Sequence, residues 1–284
     1  MRRDGIRRFE AASTITTVFL LVATAAAQEP PPVPAIDCDP ASYCEIGEPG
    51  CPAPGLTALS GDIIVGTEEG EKLNGTDGDD LIVGLGGNDS IGGHAGNDVM
   101  CGGEGNDKIR GGDGEDRVDA GPGRNDVKTD AHDDVMVGGP DRDRLDGGSG
   151  SDGAWGLGGD DNLVGEAGDE TLVGGPGNDK IAGGGDDDVL YGEEGFDRID
   201  GGEGDDEIHG GDDADNVNGG GGNDTIFGGA GPDFLKAQGD DDVVRGQGED
   251  DVLDGSSGID DLDGGDGNDV CKKGEVVSDC ELLQ

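Results

Sequence analysis

Along most of the chain an aliphatic residue recurs at every ninth position, flanked by polar or small neighbours and preceded, two residues earlier, by an acid. From Thr57 to Lys272 this register holds through 24 units with no insertion or deletion, as in GGEGNDKIR from Gly102 and GGEGDDEIH from Gly201. Position 8 is Val, Ile, Leu or Met in 22 units, the exceptions being Ala154 and Cys271. Position 6 is Asp in 21, with Glu71, Asn125 and Glu170 departing, and position 1 is Gly in 20. Positions 7 to 9 predict a three-residue strand whose middle side chain faces inward and whose neighbours face out. No 3.6-residue period competes with this, so helices are excluded. Glycines at positions 1, 2 and 4 predict a tight turn that draws on positive φ. Asp141, Asp186, Asp213 and Asp240, which stand at position 4, belong to a residue type that tolerates that region.

Two turn-and-strand units close one flattened coil of 18 residues, and coils stack as two parallel sheets about 4.8 Å per step. The fold class expected is therefore all-β, a parallel β-roll solenoid of nonapeptide repeats with two nonapeptides per coil. Stacking brings the position-6 carboxylates into two columns, one on each edge. Carboxylates at such a spacing repel strongly unless positive charge lies between them. Ca2+ suits them best, because it takes six to eight oxygens in loose geometry and glycine-rich turns offer carbonyls beside the carboxylate. Zinc and copper prefer His or Cys, and His94, His132 and His209 fall at three different positions with no shared site.

Composition taken alone points elsewhere. With 63 Gly, 3% aromatic residues and 67 Asp plus Glu against 18 Lys plus Arg, for a net charge of −49, the chain has the profile of a disordered polyanion. Random low complexity does not hold an acid and an aliphatic residue in phase for 24 units, and the register overrules that reading. The charge still excludes nucleic acid and anionic membrane surfaces as partners, since both require a cationic patch. With 12 turns per edge there are 11 gaps per edge, hence at most about 22 calcium positions, enough to neutralise nearly all the excess acid.

The pattern Gly-Gly-x-Gly-x-Asp-x-aliphatic-x resembles the RTX, or haemolysin-type, calcium-binding nonapeptide repeat over about three quarters of the chain. The resemblance implies a parallel β-roll in which each calcium sits between consecutive turns on one edge, held by position-6 carboxylates and turn carbonyls. Carried over residue by residue, it makes ligands of Asp80, Asp89, Asp98, Asp107, Asp116, Asp134, Asp143, Asp152, Asp161, Asp179, Asp188, Asp197, Asp206, Asp215, Asp224, Asp233, Asp242, Asp251, Asp260 and Asp269. Asp62 is in phase but belongs to a degenerate first unit, and Glu71, Asn125 and Glu170 depart from the pattern. Because packed columns of Asp repel, the calcium-free chain is expected to be largely unfolded, with binding and folding one event.

The flanks complete the organisation. Residues 1–27, with Arg2, Arg3, Arg7 and Arg8 ahead of the apolar run from Ile15 and small residues up to Ala27, read as a secretory signal peptide. Removal of the signal leaves no membrane-inserting segment, and an oxidising destination permits disulfides. Residues 28–56 read as a proline-rich linker followed by a cap carrying Cys38, Cys44 and Cys51; 57–272 form the roll; 273–284 form a C-terminal cap. Cys271 and Cys280 both fall at position 8, which predicts a disulfide across the last coil and leaves Cys101, outward at position 9, to pair with one N-terminal cysteine. Eleven basic residues sit at outward positions 7 and 9 and read as solvated charge that keeps short strands from aggregating. Ala154 with Trp155 marks a locally repacked rung whose exposed indole could stack on a sugar. Neither HExxH nor GxSxG occurs, and the Gly148, Gly150, Gly153 match to a dinucleotide fingerprint is chance in so glycine-rich a chain. The expectation is a secreted bacterial calcium-binding module, structural or binding and not an enzyme. A surface adhesin with a cell-surface or glycan partner, or an accessory module of a secreted enzyme, is the alternative.

Overall fold

The computed structural model describes residues 28–39, 42–45, 57–274 and 276–282, so the signal segment and its cleavage point lie outside the described residues. No helix among them is long and apolar enough to cross a membrane. Strands alternate strictly between two 13-stranded parallel sheets. Sheet I runs from Ile63–Val65 to Val276–Ser278, and sheet II from Lys72–Asn74 to Glu281–Leu282. The register is an 18-residue step: Ile109, Val127 and Leu145 stand opposite one another in sheet II, and Val118 and Met136 in sheet I. Position-8 side chains from Ile82 to Cys271 meet between the sheets as one continuous buried core. The nine-residue aliphatic period thus gives the β-roll that the sequence predicts, two nonapeptides per coil.

Many strands are longer than three residues. Lys108–Asp113 is typical, running through position 9 and on into positions 1 to 3 of the following unit. Pairing continues past a corner at position 2, where Gly112 has a φ of 127° and stands opposite Asp130, so the ladder is interrupted only at the turn itself. Positive φ is concentrated at positions 2 and 4, including non-glycine residues such as Glu193, Gln238 and Asp213. The position-1 glycines of the roll have no positive φ. Their role, described below, differs from the one read from the sequence.

At the C-terminal end the nine-residue register fails. Leu262 pairs with Val277, 15 residues on, and Cys271 pairs with Leu282. Val277 therefore takes the inward place expected for Cys280, which packs beside the core just before the final strand. The expected Cys271–Cys280 disulfide is nonetheless present. Its closeness comes from the shortened last coil and not from continuation of the repeat.

The proline-rich segment is not a free linker. Cys38 is joined to Cys101, Arg117 Nη2 donates to Ala35 O at 3.4 Å, Trp155 Nε1 donates to Pro31 O at 3.2 Å, and Gln28 hydrogen-bonds Tyr191. Residue number falls along this segment as coil number rises, so 28–38 lies as a strap across the outer face of sheet I. Trp155, expected to be exposed, is only 9% exposed and packs with Val173 and Tyr191 beneath it. The rings of Tyr191, His209 and Phe227, each 18 residues apart, stack at 4.7 and 4.9 Å. Thr57–Leu59 leaves the roll to pair with Tyr43–Glu45, and Leu59 is buried against Leu81, Val83 and Cys101. The side chains of Cys44 and Cys51 lie outside the described residues.

Candidate metal centre

Each position-6 residue closes its turn immediately before a strand, and all twenty predicted aspartates are buried, none more than 3% exposed. Two columns result. One passes through Asp89, Asp107, Asn125, Asp143, Asp161, Asp179, Asp197, Asp215, Asp233, Asp251 and Asp269. The other passes through Asp80, Asp98, Asp116, Asp134 and Asp152, then from Glu170 through Asp188, Asp206, Asp224, Asp242 and Asp260. Within a column one carboxylate oxygen, Oδ1, accepts the backbone N–H of the position-6 residue one coil earlier. Asp80 N–H to Asp98 Oδ1, at 2.8 Å, and Asp179 N–H to Asp197 Oδ1, at 2.7 Å, are representative.

The second oxygen is the informative one. Oδ2 is buried without a hydrogen-bond partner at Asp98, Asp107, Asp116, Asp161, Asp206 and Asp215, among others. Buried carboxylate oxygens left in this state carry a large desolvation penalty and call for a cation. Asp80 differs, since Thr76 donates to it from its backbone N–H at 2.6 Å. Asn125 shows what faces Oδ2. Its Oδ1 keeps the ladder by accepting Asp107 N–H, while its Nδ2 donates to Gly121 O at 2.9 Å and Gly123 O at 3.1 Å. Turn carbonyls at positions 2 and 4 therefore point at the place where an aspartate rung puts an uncompensated oxygen.

Position 1 completes the cradle. A Cβ on Gly156 or Gly201 would fall onto Oδ2 of the same unit, Asp161 or Asp206, and onto the position-1 carbonyl of the next coil, Gly174 or Gly219. Glycine serves there for close approach, which corrects the positive-φ role expected from the sequence. Among the described residues no point gathers three or more His, Cys, Asp or Glu side chains into a metal-binding group. An ion held here must take most of its ligands from backbone carbonyls, an all-oxygen set that fits Ca2+.

The electrostatics agree. Burial pushes the Asp116 and Asp215 carboxyls up to about 8 and those of Asp98, Asp134, Asp179 and Asp224 to about 7, against the opposing pull of the ladder N–H groups. Neighbouring carboxylates of the same column add to the rise at Asp116, Asp179, Asp215 and Asp224. Glu170, one methylene longer, has both oxygens buried without a donor, and burial followed by the adjoining Asp188 carboxylate raises its pKa.

The basic residues at outward positions are solvated, as expected, and several of them are also paired. On the outer face of sheet II, the in-register stack sets Lys108 3.5 Å and Arg144 3.6 Å from Asp126, while Arg144 and Lys128 meet Asp146 at 2.6 and 3.0 Å. Sequence reasoning missed this ladder, although alternating charge at 18-residue spacing (Lys108, Asp126, Arg144) is its signal. It also missed the donor role of Asn125, which Ala120 at position 1 of the same unit marks as unusual.

A family model described as the RTX calcium-binding nonapeptide repeat (4 copies) matches residues 65–100, 95–127, 129–163, 164–199, 191–226, 200–235, 218–253 and 237–271. A search of the curated proteins found no match.

Proposed function

Because the chain belongs to the RTX calcium-binding nonapeptide repeat family, we propose that it is exported, folds on binding calcium and serves outside the cell as a structural or binding module. Calcium binding by a β-roll is the family's property, and the RTX repeats and the two disulfides among the described residues suit an extracellular protein. The observation that carries the reading is the run of buried Oδ2 atoms without partners in both columns, with turn carbonyls converging on the equivalent place at the Asn125 rung. Bound calcium supplies there the positive charge that the chain itself lacks. The position-6 aspartates would hold the ion through Oδ2, while Oδ1 is fixed by the ladder and burial keeps water out. The same arrangement supports a non-catalytic role, since the position-6 acids are committed to the ladder. A glycan partner recognised through Trp155 loses its support, because Pro31 covers the indole.

The test is a circular dichroism titration of chelator-stripped mature protein, with bound ions counted by native mass spectrometry. Strand signal rises cooperatively with calcium, and the count stays at or below about 22, the number of gaps between stacked turns. Full strand signal in excess chelator at pH 7 and low salt would overturn the reading.

A further inference from the structure

We propose that the coil formed by residues 120–137 keeps its shape without calcium and is the seed on which the calcium-dependent coils fold. The inference rests on the calcium reading above and adds to it where the roll begins.

On one edge of this coil Asn125 does with an amide what the other rungs leave to an ion. Its Nδ2 donates to Gly121 O and Gly123 O, and its Oδ1 still accepts Asp107 N–H. The turn is closed, the ladder is unbroken and no negative charge is present. Asp107 and Asp143, the nearest carboxylates of the column, are two steps apart, about 9.6 Å at the usual strand spacing, so their repulsion is also relieved.

On the opposite edge Thr129 replaces the position-1 glycine. Its hydroxyl donates to Gly147 O at 3.1 Å, the next coil's carbonyl that elsewhere faces the empty side of glycine. Asp134 Oδ2 itself remains without a partner.

The surroundings of the coil are stabilised in the same calcium-free way. The sheet II ion pairs of Lys108, Asp126, Lys128, Asp130, Arg144 and Asp146 all lie on this coil and its two neighbours. Each such pair alone contributes little, but here they share partners across three successive strands. The strap is fixed on either side, through Cys101 and Arg117 before the coil and Trp155 after it. In a solenoid, where stability is a sum of coil and nearest-neighbour terms, one coil held against its neighbours without calcium is sufficient to template the next.

Hydrogen exchange read by mass spectrometry on the mature, disulfide-intact protein tests this. In chelator, amides of Asp126–Ala131 and Val135–Gly139 exchange about tenfold or more slowly than those of Lys180–Gly185 and Thr225–Ala230; calcium then protects all four strands. Asn125→Asp abolishes the chelator-resistant protection while still folding on calcium, and it binds more calcium per chain than the wild type. Asp143→Asn, which places the same amide in the neighbouring rung of the column, extends protection in chelator to Arg144–Ser149. Uniform fast exchange in chelator, or protection unchanged by Asn125→Asp, overturns the seed and leaves the calcium reading standing. Uniform protection in chelator overturns both.

Discussion

Gly201, Gly202 and Gly185 occupy three environments that look alike in sequence. Gly201 has no positive φ, but a Cβ there would strike Asp206 Oδ2 and Gly219 O. Gly202 has a φ of 129°, and Gly185 has nothing within 4 Å of where a Cβ would stand. Gly201→Ala should therefore crowd the space where an ion meets the carboxylate, destabilising the calcium-loaded roll by about 1–3 kcal/mol, as overpacking does. Ala237 in the Asp242 rung shows that one methyl can be absorbed, which keeps the cost in that range and short of unfolding. Gly185→Ala should be neutral, or stabilising by roughly 0.4–1 kcal/mol through the unfolded chain. Thermal unfolding of both variants in saturating calcium checks the order. An equal loss in the two would remove the special role given to position 1.

At the level of elements, the in-register stack turns an 18-residue spacing into a contact, and the two sheets use it differently. Sheet II pairs opposite charges along its outer face, whereas sheet I stacks rings and lies under the strap. The strap needs no regular structure of its own. Proline limits its freedom before docking, and the Cys38–Cys101 link limits it afterwards. Trp155, the single tryptophan of the chain, reports on that docking. Removing residues 28–36 should expose the indole, shifting its fluorescence to longer wavelength and raising its acrylamide quenching while calcium-loaded strand content is retained. Emission that does not move on truncation would mean that the strap does not cover Trp155 in solution.

For the whole molecule, the carboxyl columns make calcium-free stability depend on pH in an unusual sense. Folded-state values lie at about 6 to 8 at sites such as Asp161, Asp206 and Asp215, whereas an unfolded aspartate titrates near 3.9. The folded roll therefore holds more protons than the unfolded chain between about pH 4 and pH 8, and its stability falls as pH rises through that window. In chelator, strand signal by circular dichroism should be greatest near pH 4 and fade toward pH 8. With calcium present the dependence should invert, since protons compete for the same oxygens, and calcium affinity should fall as pH drops from 8 to 6. Chelator-treated protein that gains strand signal as pH rises would contradict the burial of these carboxylates.

Much of this was legible in the chain because the repeat is local and strictly periodic. An aliphatic residue two places after an acid, every nine residues, dictates which side chain faces in, which closes the turn and, once coils stack, that the acids form columns. What the sequence could not show depends on residues that only the stack brings together. Elimination gives Cys101 an N-terminal cysteine as its partner, but no spacing announces that the partner is Cys38 or that Pro31 meets Trp155. The C-terminal steps shorten, by three residues at Val277 and by seven at Leu282, because strand pairing sets their register more strongly than the repeat does. In sequence Asn125 reads as a lapse in a ligand pattern, whereas in the stack turn carbonyls converge on its amide. By itself the sequence determined the coil, its core and the acid columns, since these follow from side-chain alternation within nine residues. Only the tertiary structure decided how each rung is neutralised and which face is covered, because those outcomes are set by distances between atoms on different coils.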